Sequence, residues 1–294
     1  MNTYIKRLGP NFQGRDFVCG DIHGSFSCVE KFLEEIKFQP EDRLICTGDL
    51  IDRGPDNEKC LDLLYEPWFH SVKGNHEVLM EDYFEGGRAG EWWIPNGGAW
   101  GMQYDTDPSD QAMHIRDTVK EKVAALPYLL TVEKKDGGIF HVLHAELYCK
   151  PDAIITDETL ADWDKLQEHA LIQDRNGEVI IWGRFIFGQM YGQILDQHAV
   201  AKIRRGVSMN KSNHMFNPAL SHIYSGHTIV KQPLQFYGQT NLDTMAYGSY
   251  DRNAPDWRGL TVTEPATGKF WLVNDREFKE VLPVVIADES NIPS

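Results

Sequence analysis

Three short motifs, each opened by glycine and each following an apolar run, constrain this chain more than anything else in it. Gly20-Asp21-Ile22-His23-Gly24 follows Phe17-Val18-Cys19. Gly48-Asp49-Leu50-Ile51-Asp52-Arg53-Gly54 follows Leu44-Ile45-Cys46-Thr47. Gly74-Asn75-His76-Glu77 follows Phe69-His70-Ser71-Val72. Successive motifs lie roughly 25 residues apart with a helix-like stretch after each, the spacing of strand, crossover helix and parallel strand. An α/β fold with polar side chains gathered at strand ends is expected.

The middle motif holds the most chemistry. Asp49 ends a strand and can offer both oxygens at once, so it can bridge two hard cations. Asp52 adds a second carboxylate. Arg53 carries a planar fork that fits phosphate oxygens. The flanking glycines let the backbone turn sharply and approach a ligand closely. Of eleven histidines, four stand just past apolar runs in motif context: His23, His76, His144 and His227. Those at 70, 114, 141, 169, 198, 214 and 222 read as structural or surface residues. Side-chain alternation turns His141 away from the face of His144. Imidazole, carboxylate and amide oxygen together suit Mn²⁺, Fe or Zn²⁺.

At 294 residues and 41% apolar, the chain can bury the core of a large domain. A formal charge of −15 argues against a nucleic-acid backbone as partner. No apolar run approaches the roughly 20 residues of a membrane span. Residues 1–7 lack the apolar core of a signal peptide. Cysteines at 19, 28, 46, 60 and 149 form no CxxC pair, so free buried thiols and a reducing cytoplasm are expected.

Along the chain, Ser27 and Glu30 have capping-box spacing. Val29, Phe32, Leu33 and Ile36 give that helix an inward face. Further helices are expected at about 57–65, 77–84 and 110–125, and one amphipathic surface helix at 157–170. Strands are expected at 128–133, 139–143, 221–225, 240–243 and 260–264. The aromatic stretch 88–110, with Trp92, Trp93, Trp100 and Tyr104, reads as a substrate rim or as a cluster under a long loop. Residues 185–220, with Lys202, Arg204, Arg205 and Lys211, read as an insertion, either a lid or contact surface or a decorated loop. Residues 1–283 read as one domain and 284–294 as a loosely held tail.

With His144-Ala145-Glu146 and Gly226-His227-Thr228 further on, this order of motifs resembles that of the calcineurin-like metallophosphoesterases. The likeness is to their phosphoprotein phosphatase branch, and within it to the bacteriophage lambda-type enzymes. It covers residues 14–150 and, more loosely, 180–262. The resemblance implies a four-layer α/β/β/α sandwich with two mixed sheets and metals at the strand ends. It implies two divalent metal ions, Mn²⁺ first, with Fe, Zn²⁺ or Ni²⁺ as alternatives. One would be held by Asp21, His23 and Asp49, the other by Asp49, Asn75, His144 and His227. Water activated between them would attack phosphorus in line.

By the same resemblance His76 protonates the leaving alkoxide while Asp52 holds its other ring nitrogen. Arg53, Asn75 and Arg184 bind the phosphoryl group. Arg184 matches the Trp-x-Arg of the branch, and Asn96-Gly97-Gly98-Ala99-Trp100 is similar to an Asn-Gly-Gly-x-Trp of lambda-type enzymes. Glu146 departs from the Asp or Gly usual at its position. The expected activity is hydrolysis of phosphomonoesters, on phosphoserine and phosphothreonine proteins, phosphotyrosine or small phosphoesters. The nearest rival is a symmetrical dinucleoside tetraphosphate hydrolase, a branch that tends to carry Ala at the position of Asp52 and Asp at that of Glu77. A silent binding module is a third reading, and such a protein should have lost a metal ligand.

Overall fold

A computed structural model describes residues 4–148, 153–170, 173–174, 177–184, 220–236, 238–251, 253 and 255–285. The expected insertion (185–220) and tail (284–294) lie outside the described residues, apart from Leu220, Val284 and Val285. In chain order the strands are β1 (Ile5–Leu8), β2 (Asp16–Cys19), β3 (Arg43–Cys46), β4 (Phe69–Ser71), β5 (Leu129–Glu133), β6 (Ile139–Leu143), β7 (Gln173–Asp174), β8 (Gly177–Glu178), β9 (Ile223–Ser225), β10 (Leu234–Phe236), β11 (Gln239–Asn241), β12 (Leu260–Glu264), β13 (Lys269–Val273), β14 (Phe278–Val281) and β15 (Val284–Val285). The helices are α1 (Phe26–Glu35), α2 (Asn57–Asp62), α3 (Asn75–Phe84), α4 (Gly90–Trp93), α5 (Asp110–Thr118), α6 (Asp157–Leu160), α7 (Trp163–His169) and α8 (Val179–Trp182).

Short apolar strands buried on both faces need cover on both sides, and three separate cores supply it. Strands β14-β13-β12-β2-β3-β4 form one mixed sheet, and β1-β5-β6-β9-β11-β10-β15 the other. Val18, Ile45, Val72, Leu130, Val142 and Tyr224 fill the space between the sheets. Phe17, Leu44, Phe32, Leu61 and Met80 pack the helices onto the outer face of the first sheet. Leu129, Leu143, Leu160, Leu166 and Ile181 do the same for the second. Three cores separating four layers make the α/β/β/α sandwich.

Register sets up the site. β2 and β3 run parallel with Cys19 opposite Cys46, and β3 and β4 with Cys46 opposite Ser71. The three motif loops therefore leave the sheet at one level. In the facing sheet β6 and β9 are parallel neighbours, with Val142 opposite Tyr224. They deliver His144 and His227 to the same edge.

Several local expectations need correction. Helix α1 begins at Phe26 after Ser25, so Ser27 and Glu30 form no capping box. The Ser27 hydroxyl instead lies 3.1 Å from that of Tyr250. Helix α3 starts at Asn75, two residues early, which places Asn75 and His76 in its first turn. The segment 157–170 is two helices, because the Asp162 carboxylate caps the second one. Strands β10, β13 and β14 have no counterpart among the expected strands. Cys19, Cys28, Cys46 and Cys60 are free and buried, as expected, while Cys149 lies outside the described residues. Among the described residues, no helix is long and apolar enough to cross a membrane.

Candidate active site

Backbone strain gathers where the motif loops meet. Seven non-glycine residues among those described have φ in the left-handed region, and five are His23, Asp49, Asp52, Arg53 and His227. Such conformations persist only where surrounding bonds impose them, and they cluster at functional sites. Glu77 provides part of that constraint. Its carboxylate accepts the backbone N–H groups of Asp49 (2.8 Å), Leu50 (2.8 Å) and Gly74 (2.9 Å). Glycine is needed where loops press together: a Cβ on Gly226 would strike Asp21 Oδ1, and one on Gly74 would strike Asp49 Oδ1.

Asp49 sits at the centre. His23 Nε2 lies 3.5 Å and His76 Nε2 3.8 Å from its Oδ2, and His144 Nε2 lies 3.4 Å from its Oδ1. Two groups of potential ligands result, His23 with Asp49 and His76, and Asp49 with His144 and His227. Asn75 joins the second through Oδ1, 2.9 Å from His144 Nε2. Asp21 faces the same loops from the other side. Its Oδ1 accepts the Thr47 hydroxyl (3.0 Å) and its Oδ2 the His227 backbone N–H (2.9 Å).

The donor set fits cations. His23 Nδ1 donates to Ile51 O (2.7 Å) and His144 Nδ1 to Thr47 O (2.8 Å). Both rings therefore turn Nε2 lone pairs inward, the usual backbone-carbonyl support of a metal-binding histidine. Around His144 Nε2 stand Asn75 Oδ1, Asp49 Oδ1 and, at 3.2 Å, His227 Nδ1. Lone pairs facing lone pairs without enough hydrogens between them call for a positive charge.

Electrostatics agree. Burial holds the His23 and His227 rings well below their ordinary pKa, and lowers His144 too, which favours the neutral form that a cation requires. Burial alone would raise the Asp49 carboxyl, but the positive charge its imidazole neighbours carry when protonated, His144 first, outweighs it. The net shift is downward, and the pocket favours an anion at Asp49 wherever positive charge stands beside it. Asp21 is pushed well up by burial and then by the charges of Asp243 and Asp49, a strain that a bound cation would relieve.

Beside this centre, His76 Nδ1 meets Asp52 Oδ2 at 2.5 Å. Burial lowers the His76 ring, but the charge of Asp49 and the Asp52 bond prevail and raise it. The Arg53 fork donates to His23 Nε2 (2.8 Å) and His76 Nε2 (3.0 Å), with the Tyr247 ring 5.1 Å from its Cζ. Arg184 donates to the His227 carbonyl at 3.2 Å. Arg53 thus meets the His23 and His76 rings, and the exposed Arg184 the backbone of His227.

Two features lie beyond what the sequence disclosed. Asp243 follows β11, is 1% exposed, and is raised to about 6 chiefly by burial. Its signal is a carboxylate just past a strand next to β9. Trp93 and Trp100 do not form a substrate rim: their indole N–H groups donate to Asp52 Oδ2 (2.8 Å) and Oδ1 (2.7 Å). Trp92 alone of the three tryptophans is exposed. His141 is clamped between Thr131 and Asp157, and His222 lies against Thr240, both apart from the site as expected.

Residues 17–231 match the family model for calcineurin-like phosphoesterases. A protein of Escherichia coli K12 named serine/threonine-protein phosphatase 2 is 33% identical over 196 residues, covering 64% of this chain and 85% of its own length. A symmetrical bis(5'-nucleosyl)-tetraphosphatase of Actinobacillus succinogenes is 38% identical over 67 residues, covering 22% of this chain and 24% of its own length. Among solved structures, a proposed diadenosine tetraphosphatase aligns with 96% of this chain and 99% of its own at a TM-score of 0.52 and 17% identity, which speaks to the fold alone.

Proposed function

The chain belongs to the calcineurin-like phosphoesterase family and is a metal-dependent phosphoester hydrolase, and we propose from that premise that it removes phosphate from phosphoserine and phosphothreonine in proteins. The observation that carries the proposal is the pairing of a cation-ready cluster around Asp49 with a His76–Asp52 dyad. A phosphomonoester with a poor leaving group needs both a positive centre and a proton donor. The match at 33% identity over 85% of the length of the Escherichia coli phosphatase supports the substrate class.

Asp21, His23, Asp49, Asn75, His144 and His227 would hold two divalent ions, Mn²⁺ first. When bound, the ions supply Lewis acidity toward the phosphoryl group and the attacking water. The rest falls to the chain's own groups. A phosphoryl group entering beside Arg53 offers its fork stronger acceptors than the two imidazoles. As the fork turns to phosphate oxygens, His23 Nε2 is free to ligate and His76 Nε2 is free to carry a proton. Asp52 keeps the His76 ring aimed and favours its charged form. His76 then donates from Nε2 to the departing serine or threonine oxygen. Arg184 closes on the remaining phosphoryl oxygens. Residues 1–283 would act as one catalytic domain.

A second reading, dinucleoside tetraphosphate hydrolysis, is favoured by the local match to the Actinobacillus enzyme. The two separate in one assay. Initial rates on p-nitrophenyl phosphate, a phosphoserine peptide and diadenosine tetraphosphate are compared with Mn²⁺, Fe²⁺, Zn²⁺ and Mg²⁺. The proposal requires the phosphopeptide to exceed the dinucleotide in kcat/KM with the best metal. The reverse order overturns it.

A further inference from the structure

Asp52 is completely buried, yet among the described residues no lysine or arginine bonds its carboxylate. Its two oxygens are taken by three ring nitrogens. Oδ2 accepts from Trp93 Nε1 at 2.8 Å and meets His76 Nδ1, and Oδ1 accepts from Trp100 Nε1 at 2.7 Å. We propose that Trp93 and Trp100 are positioning residues for the hydrolysis: their indole N–H groups fix the plane of the Asp52 carboxylate, and so aim His76 at the leaving oxygen. The inference rests on the reading of His76 as the proton donor.

A carboxylate turns easily about its terminal torsion, whose energy well is broad and two-fold. A single bond to His76 would leave that rotation open. Donors on both oxygens, each on a rigid bicyclic ring, close it. The rings are themselves held. Trp93 is 0% exposed, with Tyr83 at 5.0 Å and Trp100 at 6.2 Å between ring centroids. A Cβ on Gly98 or Gly101 would run into the Trp93 ring, so the glycines of the 97–101 segment form its socket. Trp100 leans edge-on against Tyr104 at 6.1 Å, and the Tyr104 hydroxyl bonds Glu58.

The chemistry of the donors matters as much as their geometry. An arginine or lysine would satisfy Asp52 but would also compete, as a cation, with the imidazolium. Indole N–H groups are neutral and donate only. They stabilise the carboxylate while leaving His76 as its one cationic partner. A buried indole N–H needs some acceptor wherever it packs, so one such bond would serve the fold alone. Here there is one on each oxygen of the same carboxylate, and both donors come from one segment.

The test uses leaving groups. Nitrophenolate departs with little need of a proton, whereas a serine alkoxide cannot leave without one. Trp100→Phe and Trp93→Phe are each compared with the native enzyme on p-nitrophenyl phosphate and on a phosphoserine peptide. The expected result is a loss of kcat at least tenfold larger on the peptide than on the nitrophenyl ester, with KM within about threefold. In an Asp52→Asn background, Trp100→Phe should cost less than about twofold further. His76→Asn calibrates the assay. If it shows no such selectivity between the two substrates, the proton-donor reading fails. If it does and the tryptophan variants lose both activities equally, or lose as much in the Asp52→Asn background, the tryptophan proposal alone is overturned. An ¹H–¹⁵N spectrum needs no tryptophan variant: two indole N–H signals protected from exchange should shift together in Asp52→Asn. Signals that stay in place would contradict the proposal as well.

Discussion

The Glu77 carboxylate accepts the backbone N–H of Asp49 at 2.8 Å, so the third motif holds the second in place from behind. Burial and then the Asp49 charge raise Glu77 to about 7. Cations at Asp49 would offset that charge and let Glu77 ionise. Metal binding near pH 7 should therefore release protons from Glu77, in addition to any from Asp21. Calorimetric titration in buffers of different ionisation enthalpy measures the release. Glu77→Gln should release measurably less than the native chain. Equal release from both would detach Glu77 from the metal centre.

Replacing His76 with Asn should leave metal content intact and lower turnover of a phosphopeptide by about 10²- to 10⁴-fold. The reason is geometric. The ring bonds Asp52 and sits against Arg53, while the backbone N–H of His76, which the substitution keeps, donates to Asp49 Oδ1 at 3.0 Å. Steady-state kinetics with elemental analysis decide the matter. Native turnover in the variant would remove His76 from the chemistry.

Arg53→Lys should raise the inhibition constant for inorganic phosphate by about 10- to 100-fold, the worth of a charge-assisted bond. Lysine keeps the charge but not the fork that now spans His23 and His76. Phosphate inhibition as strong as in the native enzyme would mean that the anion docks elsewhere.

Acid should weaken the fold through His222. Burial lowers this ring to about 4, against about 6.5 for an exposed histidine. Between those values the unfolded chain binds the extra proton, so stability declines as pH falls from about 6.5 to about 4. His222 is only partly buried by surface area, so its share is about 1–2 kcal/mol. Denaturation midpoints of native and His222→Gln protein across that range provide the check. A parallel pH slope in the variant would assign the loss to other groups.

Much of the site is legible in the sequence, for a definite reason. Metal ligands at strand ends come with their own local signature: an apolar run, a glycine, then the ligand. That signature marks Asp21, His23, Asp49, Asn75 and His227 at strand ends; His144, which follows Leu143 with no glycine, and the grouping of all six into one site are legible only through the family resemblance. The Asp52 and His76 side chains do meet, and that partnership is legible through the family resemblance. The tryptophans are not. Nothing local distinguishes an indole that donates to a carboxylate 41 residues away from one that only fills space. The capping error at Ser27 has a similar origin, since the hydroxyl turns toward Tyr250, 223 residues later. Asp243 shows in the sequence only as a carboxylate closing the expected strand 240–243; that this strand lies beside β9 is unknowable from spacing.

If Asp49 stands between a pair of cations, diffraction from manganese-loaded crystals, recorded across the metal's absorption edge, will locate both. Two anomalous peaks about 3.5–4 Å apart are expected. One should lie by His23, Asp21 and Asp49, the other by Asp49, Asn75, His144 and His227. No peak beside Asp49, together with phosphatase activity that survives exhaustive chelation, would contradict the bridged pair.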